Sequence, residues 1–141
     1  YASWATAATT IQDAVDQATD GAVVYVAEGL YDTGGRAVAP GLTNRVVVGK
    51  KMGIVGVGDR DATVIAGTGP LGDSAVRGVY LGPGAYLVGL TITNGHTRTT
   101  LDPWERGITF QDDCRVRCVS VAGPPCLIKY TAPSLLARGK N

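Results

Sequence analysis

The sequence predicts a mainly β chain wound as a short solenoid, with one helix at its amino end. Three observations lead there: one convincing amphipathic helix near the start, a strand pattern that recurs along the rest, and a composition of thin side chains. Twenty glycines stand against one phenylalanine and one methionine, which favours tight turns over bulky aromatic packing. At 141 residues and 45% hydrophobic content the chain suffices for one domain with its own core.

The helix comes first. Between Thr9 and Gly21, the apolar residues Ile11, Ala14, Val15 and Ala18 recur at helical spacing, with Gln12, Asp13, Asp16 and Gln17 opposite. A threonine caps the start, Asp13 stands three residues after Thr10 where a capping-box acid belongs, and Gly21 supplies a left-handed stop. The spacing predicts a helix over residues 10–20, one stripe buried.

The strands repeat. VVVGKKMGIVGV, from Val46, lies without gaps over VYLGPGAYLVGL, from Val79, an offset of 79 − 46 = 33. Copies starting at Val24 and Ile108 extend the series, with steps of 46 − 24 = 22, 79 − 46 = 33 and 108 − 79 = 29. This alignment sets Tyr25 level with Tyr80. Steps of this size suit one coil of a solenoid, and the Gly-rich segments 58–61 and 67–73, with the polar segment 95–106, suit loops inserted between strands. Alternation points Val46, Val48, Met52, Ile54, Val79, Leu81, Ala85 and Leu87 inward, and Arg115 and Arg117, either side of Val116, outward. Gly56, Gly89 and Cys118 fall at one small-residue corner. Thr91 and Thr93 form a single outward Thr-x-Thr pair, and Gly58, aligned with Thr91, denies that pair on an earlier coil. Each coil is too thin to bury its own apolar face, so stacking must make the core.

The helix, then VVYVAEGLY from Val23, GIVGVG from Gly53, TVIAG from Thr63 and GLTITNG from Gly89, resembles the right-handed parallel β-helix proteins of the pectin-lyase-like group. The likeness is greatest to the amino-terminal part of bacterial secreted or surface β-helix proteins, and it covers residues 4–95 best. It implies a single β-helix domain over 1–141, with a cap helix within 1–21, coils over 22–123, and a degenerate last coil and tail over 124–141. It also implies a secreted or cell-surface location. A signal peptide is absent from this sequence, as it is from any mature secreted protein. Members of the group include polysaccharide lyases, hydrolases and adhesins, so fold alone assigns no activity.

Lyases of the group hold calcium on acidic clusters and abstract a proton with a basic residue. The nearest constellation here is Asp112 and Asp113 with Arg115 and Arg117, read as solvated turn acids and outward arginines because adjacent aspartates at a turn point apart. Asp59 and Asp61 form a second pair, in a loop whose turn chemistry accounts for them. His96 follows Asn94-Gly95 in an expected loop, with no serine and acid shown to converge on it. No catalytic residue and no metal site is expected, and calcium enters only under a lyase alternative. Among Cys114, Cys118 and Cys126, the first two are about 13 Å apart if they share a strand, too far for a disulfide. Cys126 is left to pair with one of them or to stay a buried thiol.

Tyr25, Tyr80, Tyr86 and Trp104 are the candidate ligand-binding residues, since outward aromatics on a solenoid can stack on sugar faces. After Gly123 the repeat degrades, and an open solenoid end presents unpaired strand edges. Val116, Val119, Val121, Leu127 and Ile128 are the expected interface of a homo-oligomer at that end. A net charge of +1 gives no electrostatic footprint for nucleic acid, and no apolar run reaches the roughly 20 residues of a membrane span. The expected function is a noncatalytic structural, adhesive or glycan-contacting module that self-associates. The alternative is a polysaccharide-active lyase or hydrolase.

Overall fold

The computed structural model describes residues 3–38, 40, 42–70 and 72–97, and the backbone of Ile108–Phe110, Arg115–Arg117 and Ser120–Ala122. After a single 3₁₀ turn, Trp4–Thr6, comes helix α1, Ile11–Gln17. Among the described residues twelve short strands follow: β1 (Val23–Val26), β2 (Gly29–Tyr31), β3 (Arg36–Ala37), β4 (Thr43–Val48), β5 (Gly53–Gly56), β6 (Thr63–Ala66), β7 (Val76–Leu81), β8 (Tyr86–Val88), β9 (Thr91–Thr93), β10 (Ile108–Phe110), β11 (Arg115–Arg117) and β12 (Ser120–Ala122).

They form three four-stranded sheets, ordered β1-β5-β8-β11, β10-β7-β4-β3 and β12-β9-β6-β2. Every pairing is parallel except β3 with β4. The triplets β4-β5-β6, β7-β8-β9 and β10-β11-β12 each give one strand to each sheet, in the same order. The 33-residue offset holds in the register: Val46 lies beside Val79, Val48 beside Leu81, and Ile54 beside Leu87. The 29-residue offset sets Ile108 beside Val79.

The eight side chains expected inward are all buried, and they join Ile65, Leu90 and Ile92 in one apolar cluster with Ile11, Val15 and Val26. Each such aliphatic side chain contributes about 1.5–3 kcal/mol through removal from water. The expected loops 58–61 and 67–73 lie between β5 and β6 and between β6 and β7. The small-residue corner is real for two of its members. A Cβ at Gly56 would collide with the Gly89 carbonyl, and Gly89 itself has φ +67°. Cys118 lies outside the described residues.

Three expectations need correction. The helix stops at Gln17, and Gly21, with φ +82°, turns the chain after the helix instead of ending it. The reason lies across the fold: the Lys50 ammonium donates to the carbonyls of Val15 at 3.0 Å, Asp16 at 2.9 Å and Ala18 at 2.5 Å, satisfying the last turn from outside. The start is as expected, with the Asp13 amide donating to the Thr10 hydroxyl at 3.1 Å.

The second correction concerns the first copy of the repeat. Val24 lies beside Ile54, on the sheet of β5 and β8, so Tyr25 is level with Val55 and Val88 and not with Tyr80. α1 packs on β4 and β1, and it precedes β1 and β2 in chain order as β4, β7 and β10 precede the other two strands of their triplets. Strand alternation has the same period on every sheet, so sequence similarity alone did not separate them.

Third, Thr91 faces away from the core, between buried Leu90 and Ile92, but is only 8% exposed because the loop before β6 covers it, its hydroxyl donating to the Arg60 carbonyl at 3.0 Å. Its strand neighbour is Val64, not Gly58. A buried hydroxyl needs such an acceptor, and the loop before β6 supplies it.

Candidate functional site

Two adjoining surfaces gather the exposed aromatic side chains around β1. The first is the outer face of the sheet β1-β5-β8. With Ile54 and Leu87 buried on the inner side, alternation places Val23, Gly53 and Tyr86 in one outward row and Tyr25, Val55 and Val88 in the next. Tyr25 is 60% exposed. The Tyr86 ring occupies the space that a side chain at Gly53 would need, so the glycine lets the ring lie across its neighbour strand. Tyr25 and Tyr86 stand two strand spacings apart across the sheet and two residues apart along it, roughly 12 Å between Cα positions. Arg115 and Arg117 continue the two rows in the backbone register of β11.

The second surface is a groove of about 960 Å³ between β1 and the amino-terminal segment. Trp4, Ala14, Ala18, Val23, Tyr25 and Tyr31 are among its walls. Trp4 is 61% exposed. The Tyr31 hydroxyl donates to the Ala27 carbonyl at 2.9 Å, and burial raises its pKa above the ordinary tyrosine value. Tyr25 belongs to both surfaces. β1 is the last strand of its sheet, with no further strand beyond it among the described residues.

Of the expected ligand-binding residues, Tyr25 and Tyr86 share a face. Tyr80 lies on β7, in a different sheet, and does not join them. Trp104 lies outside the described residues, as do Asp112, Asp113, Cys114, Cys126, Val119, Leu127 and Ile128. For Arg115, Val116, Arg117 and Val121 only the backbone is described, with Val116 beside Leu87 and Val121 beside Ile92.

The turn reading of Asp59 and Asp61 is what the structure has. Asp59 Oδ1 accepts from the Asp61 amide at 2.8 Å, and Asp61 pairs with Arg60 at 2.9 Å on the exposed surface. The Arg60 hydrogen bond, with the Arg60 charge, holds the Asp61 carboxyl below its ordinary pKa. Glu28 Oε1 accepts from the Asp59 amide at 2.7 Å, tying this loop to β1 and β2. His96 is half-buried, its Nδ1 2.9 Å from the Asn94 carbonyl oxygen. Among the described residues no three His, Cys, Asp or Glu side chains are grouped to hold a metal ion. None of their helices is long and apolar enough to cross a membrane.

Sequence reasoning missed Gly53 beneath Tyr86, although the repeat alignment already set those residues level. It also missed Gln12 and Lys50, polar residues whose partners are more than thirty positions away. No family model, curated protein or solved structure matches this chain.

Proposed function

We propose that the chain winds as a short right-handed parallel β-helix and serves as a noncatalytic, glycan-contacting module at the cell surface or outside it. The observation that carries this reading is the outward pair Tyr25 and Tyr86, on one sheet face they share with Val23, Val55 and Val88. Aromatic rings offer large apolar surface at small entropic cost, and two of them on one face give an extended glycan two stacking positions. The visiting order of the three sheets supports the winding, because a chain that returns to each sheet in turn stacks one round upon the last. Handedness follows the preference of parallel crossover connections.

Self-association at the carboxyl-terminal end, through Val116, Val119, Val121, Leu127 and Ile128, is part of the same proposal. Light scattering at micromolar concentration tests it, and a strict monomer would remove it. For the glycan, the experiment is a glycan array followed by calorimetry on the best ligand. Binding without turnover, weakened at least tenfold in Tyr25→Ala and in Tyr86→Ala, supports the reading. Absorbance growing near 235 nm on a polyuronate panel, abolished by chelator and in Asp112→Ala, would replace it with a calcium-dependent lyase.

A further inference from the structure

Arg45 is only 6% exposed, and it makes no ion pair among the described residues. Its Nε–H donates to the Ala66 carbonyl at 2.7 Å, one Nη1–H to the Gly34 carbonyl, and one Nη2–H to the Thr68 hydroxyl at 2.8 Å. A guanidinium has five N–H donors, so two remain without a protein acceptor among the described residues. Buried cations are ordinarily paired with an anion. Burial lowers the pKa of this one, and the charge of Asp32 opposes that from a distance without forming a contact.

Arg45 also lines a pocket of about 70 Å³ together with Thr9, Thr10, Tyr31 and Thr33. Two of these hydroxyl groups are already committed: the Thr10 oxygen accepts from the Asp13 amide, and the Tyr31 proton goes to Ala27. The hydroxyls of Thr9 and Thr33 have no partner among the described residues. About 10–15 Å³ of such space holds one water, so the pocket has room for an ion of several heavy atoms. Thr9 and Thr33 are exposed at the rim, where water serves their hydroxyls, so an acceptor in this pocket answers the two remaining N–H groups of buried Arg45.

We propose that this pocket binds a small oxyanion of carboxylate, phosphate or sulfate size, held by the Arg45 guanidinium and the hydroxyls of Thr9 and Thr33. The site is separate from the outer face carrying Tyr25 and Tyr86, and it stands or falls independently of glycan binding. An oxyanion there supplies the missing counter-charge and accepts hydrogen bonds that are shorter and stronger than neutral ones. Asp32 acts against it, so removing that charge tightens binding.

The test titrates the full chain with sodium phosphate, sodium sulfate and sodium acetate, each at an ionic strength held constant with sodium chloride. Melting temperature and the amide shift of Thr33 are followed. The expected result is a saturable response to at least one of the three anions and none to chloride, and the responding anion identifies the geometry. Affinity falls about tenfold in Thr33→Val, as for one lost hydrogen bond to a charged partner, rises in Asp32→Asn, and disappears in Arg45→Met. If Arg45→Met fails to fold, the two exposed variants carry the test. Equal responses to all four salts, or affinities unchanged in both Thr33→Val and Asp32→Asn, overturn the proposal.

Discussion

Gln12 holds both backbone polar groups of Val47: the Val47 amide donates to Gln12 Oε1 at 2.7 Å, and Gln12 Nε2 donates to the Val47 carbonyl at 3.3 Å. A side-chain amide here does what a neighbouring strand would do. β3 covers only Thr43 and Asn44 of β4, and Gln12 takes over further along the same strand. The second Nε2 proton goes to Asp16 Oδ1 at 2.9 Å, and Asp16 pairs with Arg36 of β3. Helix, β3 and the end of the sheet are thereby joined.

Gln12 is 7% exposed, so its loss leaves a protected strand edge without partners. Gln12→Ala is expected to lower unfolding stability by about 1–3 kcal/mol. Gln12→Glu keeps the acceptor for the Val47 amide but turns an oxygen toward Asp16 Oδ1 and the Val47 carbonyl in place of the donor, and should cost at least as much as Gln12→Ala. Urea denaturation measures both, and a Gln12→Ala midpoint equal to the parent's would show that the edge is satisfied otherwise.

Lys50 closes the last turn of α1 through three carbonyls. Lys50→Met keeps the aliphatic stem and removes the donors, so it isolates their contribution, about 1–2 kcal/mol. Hydrogen exchange gives the sharper readout: the amide of Ala18, which donates to the Ala14 carbonyl at 3.1 Å, should lose protection before those of β7 do.

Gly56 and Gly53 differ in what blocks a side chain. A methyl group at Gly56 meets the backbone of Gly89, which has nowhere to go, whereas at Gly53 it meets the Tyr86 ring, which can swing away. Gly56→Ala is therefore expected to cost more than Gly53→Ala, within about 1–3 kcal/mol for such overpacking. Combining Gly53→Ala with Tyr86→Ala should recover most of the Gly53→Ala loss. Additive losses would mean that the ring is not what fills that space.

Tyr31 titrates above its ordinary value of 10.0 because burial disfavours the phenolate. A raised folded pKa means that the stability is complete below the unfolded value and is lost as pH climbs through the folded one. Stability should therefore fall with rising pH from about pH 10 upward. In Tyr31→Phe the alkaline slope should be shallower, while neutral-pH stability drops slightly through loss of the bond to Ala27. An identical alkaline slope in the two proteins would assign that fall to other groups.

Strand content, the inward set from Val46 to Leu87, the 33-residue register and the cap of α1 at Thr10 were all legible in the order of the residues. Each of these is written in spacing between near neighbours or in a gapless alignment, and burial and backbone geometry respond to such patterns directly. It took the folded chain to show that β1 joins the sheet of β5, that Gln12 and Lys50 reach distant backbone groups, and that Tyr25 shares its face with Tyr86 and not Tyr80. Those facts depend on which sheet a strand enters, and a two-residue alternation looks the same on all three. Polar side chains likewise read as solvent-facing until a distant backbone group, left unpaired by the fold, claims them.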